Sequence, residues 1–340
     1  MSLEIIHSSP SSVPVRDLYT RMLLTRVVDH HLALLHRQGL GEQVAPCGGH
    51  EAAQVGSASC IDIAQDVTLP YQRDLGVFLT LGMTPYEAFQ THLIRTSQSK
   101  LATVPLDGRE KLNGKHYFNY QKHNIVTGPS SVAMQVLHAA GIAFANTLRR
   151  SRGVTIAYCD ESTLTEADFR EAITFAALHK LPILFICEHN YSQGRPTARP
   201  VLAAVQQAAL PIGLEHRYLD GADVLSVYAT MQAALRYARE GHGPVLLEMH
   251  VTRPSSGRSD LSACSSETLA EQMLTDSRTD PLLRCRQLLS EQGLWDQQWA
   301  DLLYQRLMAE VEQAMHDATS HLSLSEVLGN PDKKLFTRDR

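Results

Sequence analysis

Residues 154–190 read VTIAYCDESTLTEADFREAITFAALHKLPILFICEHN, and this stretch decides the fold class. Two β-rich runs, Val154–Tyr158 and Ile183–Cys187, enclose the segment Glu166–Lys180, whose apolar residues recur at helical spacing. Such a strand, helix, strand unit with apolar strands is typical of a buried parallel sheet. The sequence therefore predicts an α/β fold with a mostly parallel sheet.

The flanking sequence extends this pattern on both sides. A predicted helix, Asp223–Glu240, leads into a third apolar strand, Pro244–Met249. Further helices are predicted at both ends of the chain, over Val15–Gln38, from Glu51 to about Ile61, over Pro281–Gln292 and over Trp295–Ala318. The predicted division is an N-terminal arm, an α/β domain and a C-terminal helical extension, over residues 1–13, 14–275 and 276–340.

Two polar segments interrupt the predicted elements. Residues 97–130 are rich in Lys, His, Asn and Gly and are too long for an ordinary connection, so they form either a functional loop or a disordered segment. The stretch from Arg253 to about Thr279 is rich in serine and is predicted to be an exposed loop.

The composition excludes several classes of protein. The 340 residues include 44% hydrophobic side chains, and the net charge of −5 is spread along the chain, so we expect neither a nucleic-acid nor a membrane-surface partner. Six cysteines are scattered without metal-ligand spacing, which argues against structural zinc and a disulfide framework. The N-terminus lacks a secretory signal, and no apolar run could span a bilayer. We therefore expect a cytoplasmic protein.

Polar side chains follow the first two central strands. Cys159-Asp160-Glu161-Ser162 come after one strand and Glu188-His189-Asn190-Tyr191-Ser192 after the next. Ligands of open parallel sheets bind at the carboxyl ends of the strands. Carboxylate, amide and backbone carbonyl oxygens suit octahedral magnesium, and a helix that begins near Thr165 would direct its positive end towards an anion there. Acidic and amide residues also cap strands and turns, so this pattern alone leaves both interpretations open.

The same stretch resembles a known family. DESTLTEADFREAITFAALHKLPILFICEHN is similar to the thiamine-diphosphate motif of 2-oxo acid dehydrogenase alpha subunits, which runs from Gly-Asp/Glu-Gly to Asn-Asn. The similarity spans roughly residues 15 to 325. Other family-like segments occur in the expected order: Gly49-His50-Glu51-Ala52-Ala53, Tyr71-Gln72-Arg73-Asp74, Gly114-Lys115-His116-Tyr117, Ser130-Ser131-Val132, Leu219-Asp220-Gly221-Ala222-Asp223, Gly243-Pro244 with Glu248 and Thr252-Arg253, and Asp280-Pro281.

The resemblance implies a role for each matched residue. Glu161 and Asn190 would be magnesium ligands, with the backbone carbonyl of Ser192 as a third. Arg73, with Tyr71 or Gln72, would contact the diphosphate. Asp160 and Ser162 flank the metal carboxylate in the cofactor-binding motif. Ser131 and Val132 would support the bent cofactor, and His116 would be a catalytic residue on a loop near the substrate or the diphosphate.

The sequence departs from the family pattern at several of these positions. Asp160 and Ser162 replace two glycines that allow close approach to phosphate, and the added Asp160 carboxylate would tend to repel it. His189 replaces the first Asn of the Asn-Asn pair. The family has a histidine pair after its Tyr-Arg, whereas this chain offers only Arg258, which could contact the diphosphate but could not serve as a neutral acid–base group.

The resemblance also implies an architecture and partners. The fold would be a thiamine-diphosphate-binding, transketolase-like domain with helical N- and C-terminal extensions. The chain would need a beta-type subunit, most simply in an α2β2 assembly, and would decarboxylate a small 2-oxo acid, with a lipoyl-bearing acyltransferase as one acceptor. The altered site leaves three hypotheses: an active enzyme that forms an acyl group or an acyloin, a non-catalytic structural or regulatory subunit, and an unrelated α/β protein.

Overall fold

The computed structural model describes residues 15–41, 44–93, 122–126, 133–190, 212–252 and 279–320. The described helices are α1 Val15–Arg37, α2 Glu51–Ala58, α3 Leu75–Thr80, α4 Pro85–His92, α5 Met134–Leu148, α6 Ala167–Leu178, α7 Val224–Arg239, α8 Pro281–Glu291 and α9 Gln297–Thr319. The strands are β1 Val67–Leu69, β2 Thr155–Asp160, β3 Ile183–Asn190, β4 Glu215–Asp220 and β5 Val245–Val251. Short 3-10 turns cover Lys122–Asn124 and Thr163–Thr165.

The five described strands form one sheet in the order β1-β2-β3-β5-β4, and every neighbouring pair is parallel. This confirms the predicted α/β fold with a parallel sheet. The sheet separates two apolar cores. One lies between the sheet and the helices α1, α2 and α7, and α8 and α9 add side chains to it. The other lies between the opposite face and the helices α5 and α6.

Local sequence signals define several of the helix ends. Thr84 caps α4 in a capping box with Glu87, with Pro85 in the first turn. Asp223 accepts a hydrogen bond from the Ser226 backbone at the start of α7, and Asp296 caps α9 in the same way. The helices predicted from periodicity are thus present, with ends within a few residues of the predicted positions; α2 ends at Ala58 rather than near Ile61.

A buried ionic triad ties the C-terminal helices to the main domain. Arg26 on α1 donates from Nε to Glu51 Oε1 at 2.7 Å and from Nη1 to Asp280 Oδ2 at 2.5 Å. Glu51 also accepts the backbone N–H of Gly49, and Asp280 caps α8 through the backbone N–H groups of Leu282 and Leu283. Arg26 therefore fixes the starts of α2 and α8 together. The predicted boundary between domain and extension near residue 275 stays a prediction.

None of the described helices is long and apolar enough to cross a membrane.

Candidate cofactor site

The carboxyl ends of β2 and β3 bring the predicted motif residues together. Both strands are longer than the sequence predicted: β2 continues through Asp160 and β3 through Asn190, so these residues belong to strands and not to the turns beyond them. The prediction that the strands end at Tyr158 and Cys187 was wrong because polar residues there broke the apolar pattern while the backbone pairing continued, with Asp160 opposite Glu188.

Glu161 reaches from the end of β2 to the end of β3. Its Oε2 atom lies 3.4 Å from the backbone nitrogen of Asn190, which donates to it. Both side chains are only partly buried. The Glu161 carboxylate is thus held beside the backbone of Asn190, at the edge of the sheet where ligands of parallel sheets bind. Within the described residues, no group of three or more His, Cys, Asp or Glu side chains could hold a metal ion, so a cation here would need ligands beyond these protein side chains.

Asp160, the carboxylate that stands where the family has glycine, is occupied by local hydrogen bonds. Its Oδ1 atom accepts from the backbone nitrogen of Ser162 at 3.2 Å and from the Ser162 hydroxyl at 2.5 Å. The 3-10 turn that begins at Thr163 follows directly, and α6 begins at Ala167, later than the predicted helix start near Thr165. Asp160 therefore stabilises the turn that carries Glu161.

Asp160 also interacts with Tyr71. Burial raises the pKa of the Tyr71 hydroxyl to about 12, and the negative charge of Asp160 and a hydrogen bond with it add to the shift. The Gln72 side chain donates to the same hydroxyl at 3.2 Å. Two of the predicted diphosphate-contact residues, Tyr71 and Gln72, therefore contact each other, and Tyr71 also contacts Asp160.

Arg73 occupies a tight turn beside these residues. The turn is closed by the Asp74 backbone N–H, which donates to Tyr71 O at 3.0 Å, and by the Tyr71 N–H, which donates to Asp74 Oδ2 at 2.7 Å. The Nε atom of Arg73 is buried and has no hydrogen-bond partner among the described residues. Since a buried guanidinium donor normally has a partner, this atom is suited to an anionic ligand.

A polar stripe on α2, which the sequence analysis did not identify, faces the same region. His50 Nδ1 lies 2.5 Å from Glu188 Oε2, Gln54 Nε2 lies 3.1 Å from the same oxygen, and the Ser57 hydroxyl lies 2.9 Å from the Tyr158 hydroxyl. His50, Gln54 and Ser57 share one helical face because they are four and three positions apart. That spacing, in an otherwise apolar helix, was the available sequence signal.

His50 and Glu188 form a buried pair beside the site. Burial lowers the pKa of the His50 imidazole, whereas the Glu51 charge opposes that shift. Burial raises the pKa of the Glu188 carboxyl, whereas the hydrogen bond from Gln54 and the Arg73 charge oppose it. Burial therefore favours the neutral form of both groups.

A second polar cluster lies on the other face of the sheet. The His216 Nε2 atom lies 2.8 Å from Glu248 Oε1, and His189 Nδ1 lies 3.9 Å from Glu248 Oε2. Burial raises the pKa of the Glu248 carboxyl, but the interactions with His189 and His216 outweigh it and lower the pKa to about 2. His189, which replaces an Asn of the family motif, therefore serves as a partner of Glu248 while its neighbour Asn190 faces Glu161.

The structure thus places together Tyr71, Gln72, Arg73, Asp160, Glu161, Ser162 and Asn190 among the predicted site residues. The predicted catalytic His116, the predicted cofactor-support residues Ser131 and Val132, the third metal ligand Ser192 and the predicted diphosphate contact Arg258 lie outside the described residues. Their roles stay predictions.

The described residues fit a metal-bound diphosphate. The hard oxygen donor of Glu161 lies beside Asn190, an unpartnered buried donor of Arg73 lies nearby, and the Asp160 carboxylate is already satisfied by its own turn. The site carries several carboxyl groups, so a divalent cation would offset the repulsion between them and an anionic ligand.

Comparisons with known proteins agree with this geometry. The sequence profile of the Dehydrogenase E1 component family matches residues 19–325. The 2-oxoisovalerate dehydrogenase subunit alpha of Bacillus subtilis (strain 168) is 35% identical over 307 residues, which cover 89% of this chain and 89% of the relative.

Two further relatives extend the comparison. The 3-methyl-2-oxobutanoate dehydrogenase subunit alpha of Mycobacterium tuberculosis (strain CDC 1551 / Oshkosh) is 32% identical over 313 residues, or 89% of this chain and 79% of the relative. The pyruvate dehydrogenase E1 component subunit alpha of Staphylococcus aureus (strain Mu50 / ATCC 700699) is 29% identical over 308 residues, or 89% of this chain and 77% of the relative.

Proposed function

The chain belongs to the Dehydrogenase E1 component family, and from that premise we propose that it is the alpha-type subunit of a thiamine-diphosphate-dependent 2-oxo acid dehydrogenase-like enzyme. Such an enzyme decarboxylates a 2-oxo acid and passes on the remaining acyl or hydroxyalkyl group. Membership of the family removes the hypothesis of an unrelated α/β protein. The single observation that carries the proposal is the contact between Glu161 and Asn190 at the sheet edge where a metal-bound diphosphate fits.

Magnesium is part of this proposal. Glu161 and the Asn190 side chain would supply two of its ligands, the Ser192 backbone carbonyl a third, and diphosphate oxygens and water the rest. The hydrogen bond from the Asn190 backbone to Glu161 supports the assignment because it holds the carboxylate at the end of β3. Asp160 supports it indirectly by stabilising the turn that carries Glu161.

Arg73 would hold the other end of the diphosphate. Its guanidinium charge and its unpartnered Nε atom suit a phosphate oxygen, and an arginine can bind two such oxygens at once. Tyr71, which contacts both Gln72 and Asp160, would help to fix the turn that carries Arg73. Ser131, Val132 and Arg258 remain proposed cofactor contacts, and His116 a proposed catalytic residue.

The chemistry that thiamine diphosphate supplies when bound is a carbon nucleophile and an electron sink for loss of carbon dioxide from a 2-oxo acid. The alpha-type chain contributes binding and orientation. Arg73 and the metal ligands would fix the diphosphate, and the buried hydrogen bond between His50 and Glu188 would keep the Glu188 carboxyl engaged in the core. Groups that are held in place in this way need little reorganisation when the ligand binds.

Alpha subunits of this family pair with beta subunits, and we propose the same for this chain, in an α2β2 assembly. A lipoyl-bearing acyltransferase as acceptor and a cytoplasmic location belong to the same proposal. The alternative of a non-catalytic subunit rested on Asp160, Ser162, His189 and the missing histidine pair after Arg253, of which the first three lie within the described residues. In the described structure each of these residues has hydrogen-bonding or electrostatic partners that leave Glu161 and Asn190 together, which favours the active enzyme.

The test is calorimetric titration of thiamine diphosphate with magnesium into the chain purified with its beta-type partner. We expect binding with a micromolar dissociation constant, about −8 kcal/mol, and loss of that binding in Glu161→Ala. Glu166→Ala is the matched control, because this exposed carboxylate lies on the same segment and its side chain makes no capping hydrogen bond. No binding by a folded wild-type assembly, or equal binding by Glu161→Ala, would contradict the proposal.

The substrate assay would begin with branched-chain 2-oxo acids. Two of the three relatives described above are named for the same compound, since 2-oxoisovalerate and 3-methyl-2-oxobutanoate are one acid. The third is named for pyruvate. The rate of carbon dioxide release from each acid, with an artificial electron acceptor present to allow turnover, would rank the two acids as substrates.

A further inference from the structure

Gln54 on α2 makes three directed hydrogen bonds at the candidate site. Its Nε2 atom donates to the backbone carbonyl of Arg73 at 3.0 Å and to Glu188 Oε2 at 3.1 Å. Its Oε1 atom accepts the backbone N–H of Gly76 at 2.9 Å. Two acceptors face the nitrogen and a donor faces the oxygen, so only one orientation of the amide satisfies all three contacts.

The packing around Gln54 leaves no room for adjustment. The side chain is fully buried. A Cβ atom on Gly76 would lie 2.9 Å from Gln54 Oε1 and 3.0 Å from Gln54 Cβ, so the first turn of α3 approaches Gln54 as closely as only glycine allows. Gln54 therefore holds the backbone on both sides of Asp74, at Arg73 and at Gly76.

The segment that Gln54 holds is the one that carries Arg73. The turn Tyr71–Asp74 closes on itself, but its internal hydrogen bonds do not attach it to the sheet. Tyr71 contacts Asp160 at the end of β2, and Gln54 attaches the turn to β3, because the same amide nitrogen that binds the Arg73 carbonyl also binds Glu188 near the end of β3. Among the described hydrogen bonds, the link between the Arg73 backbone and β3 thus runs through the Gln54 side chain.

We propose that Gln54 is a positioning residue that sets the placement of Arg73 relative to β3, and thereby the affinity for the diphosphate of the cofactor. The inference rests on the proposed function, because it assigns Arg73 to that anion. Gln54 lies behind the Arg73 backbone and would not touch the cofactor. Gln54 contributes to binding because it holds the Arg73 guanidinium in place before the cofactor arrives. The Nε atom of that guanidinium has no hydrogen-bond partner among the described residues.

The experiment compares Gln54→Met with the wild-type chain, each purified with its beta-type partner. Methionine has a similar volume but makes none of the three hydrogen bonds. We expect the dissociation constant for thiamine diphosphate, with magnesium present, to rise about fivefold, which is less than loss of the guanidinium itself would cause. At saturating cofactor, the kcat of Gln54→Met should stay within about twofold of the wild-type value. The substitution should therefore change the apparent KM for the cofactor and leave kcat nearly unchanged.

Ser57→Ala is the matched control for a general loss of stability. Ser57 is also fully buried, lies on the same helical face and hydrogen-bonds the Tyr158 hydroxyl at 2.9 Å, but its described hydrogen bonds do not reach Arg73. This variant should be destabilised without a change in the dissociation constant. A rise in that constant as large as that of Gln54→Met would overturn the inference, as would an unchanged constant in Gln54→Met.

A double-mutant cycle separates positioning from an independent effect. In an Arg73→Met background, the additional Gln54→Met change should alter the dissociation constant by less than about twofold, because the cationic group that Gln54 positions is absent. An undiminished fivefold effect in that background would overturn the inference. A wild-type assembly that binds no thiamine diphosphate would overturn the proposed function and the inference together. A wild-type assembly that binds the cofactor, with no effect of Gln54→Met, would overturn the inference alone.

Hydrogen exchange provides a readout without cofactor. The Gly76 amide donates to Gln54 Oε1, so its exchange in the cofactor-free assembly should be faster in Gln54→Met than in the wild type, and unchanged in Ser57→Ala. Equal exchange of the Gly76 amide in Gln54→Met and the wild type would show that Gln54 does not hold this segment.

Discussion

The Nη1 atom of Arg26 lies 2.5 Å from Oδ2 of Asp280, so the middle of the first helix is joined to the start of α8. The same guanidinium binds Glu51 at the start of α2. All three side chains are buried, and each carboxylate also accepts backbone N–H groups of its own segment. The pairing fixes three helix positions that are far apart in the sequence.

Arg26→Met should therefore destabilise the chain strongly. It leaves the Glu51 and Asp280 carboxylates buried without a cation, and removal of one partner from a buried ion pair costs about 3–5 kcal/mol. The free energy of unfolding in urea would measure the loss. Arg21→Met is the control: Arg21 is exposed on the same helix and donates to the Thr80 backbone carbonyl, so its loss should cost below about 1 kcal/mol. Equal costs would contradict the role of the triad.

Arg73→Lys should weaken cofactor binding although it keeps the positive charge. Lysine lacks the Nε donor and the planar guanidinium, and a hydrogen bond to a charged group contributes about 1.5–3 kcal/mol, so the dissociation constant for thiamine diphosphate should rise about tenfold or more. Calorimetric titration of the assembly with the beta-type partner would measure it. A constant within twofold of the wild type would place Arg73 outside the diphosphate site.

Asp160→Asn should bind the cofactor more tightly than the wild type. Asparagine Oδ1 can still accept from the Ser162 N–H and hydroxyl, so the turn is retained, while one negative charge beside the diphosphate is removed. At an effective dielectric constant of about 20, a unit charge contributes about 4 kcal/mol at 4 Å and less at greater distances, before screening by salt, so we expect a gain of about threefold to tenfold. Weaker binding would mean that the Asp160 charge assists the metal site.

Glu248→Gln should make stability less dependent on acid pH. The folded pKa of Glu248 is about 2, below the usual glutamate value of 4.5, so its contribution to the free energy of unfolding is present above pH 4.5 and is lost as the pH falls towards 2. The wild type should be more stable than the variant at pH 7, and the difference should shrink by pH 3. Urea unfolding at both values would measure it. A difference that is the same at pH 7 and pH 3 would contradict the assignment of the low pKa to Glu248.

The local sequence patterns predicted the central part of the fold correctly. The apolar runs of β2, β3 and β5 and the helical spacing of α1, α6, α7, α8 and α9 were sufficient to predict a parallel α/β sheet. The edge strands β1 and β4 were not predicted. β1 has three residues and β4 is half exposed, so neither contains an apolar run that marks a buried strand.

The sequence also placed Asp160, Glu161 and Asn190 at one edge of the sheet, because the carboxyl ends of neighbouring parallel strands meet there. It could not predict that Asp160 would bind the Ser162 backbone and hydroxyl, since the direction of a carboxylate at a strand end depends on the turn that follows. The family resemblance predicted repulsion between the Asp160 carboxylate and the diphosphate. The hydrogen bonds that Asp160 accepts from Ser162 offset part of that repulsion.

The sequence by itself determined the central strands and the long helices, because periodicity and helix caps act over a few residues. Only the tertiary structure decided that β5 lies between β3 and β4, that His50, Gln54 and Glu188 meet in the core, and that Arg26 joins three helices. These contacts depend on burial and on partners that are distant in the sequence, up to 254 positions apart. The pKa shifts follow from the same burial, because removal from water penalises a charged group wherever the chain has placed it.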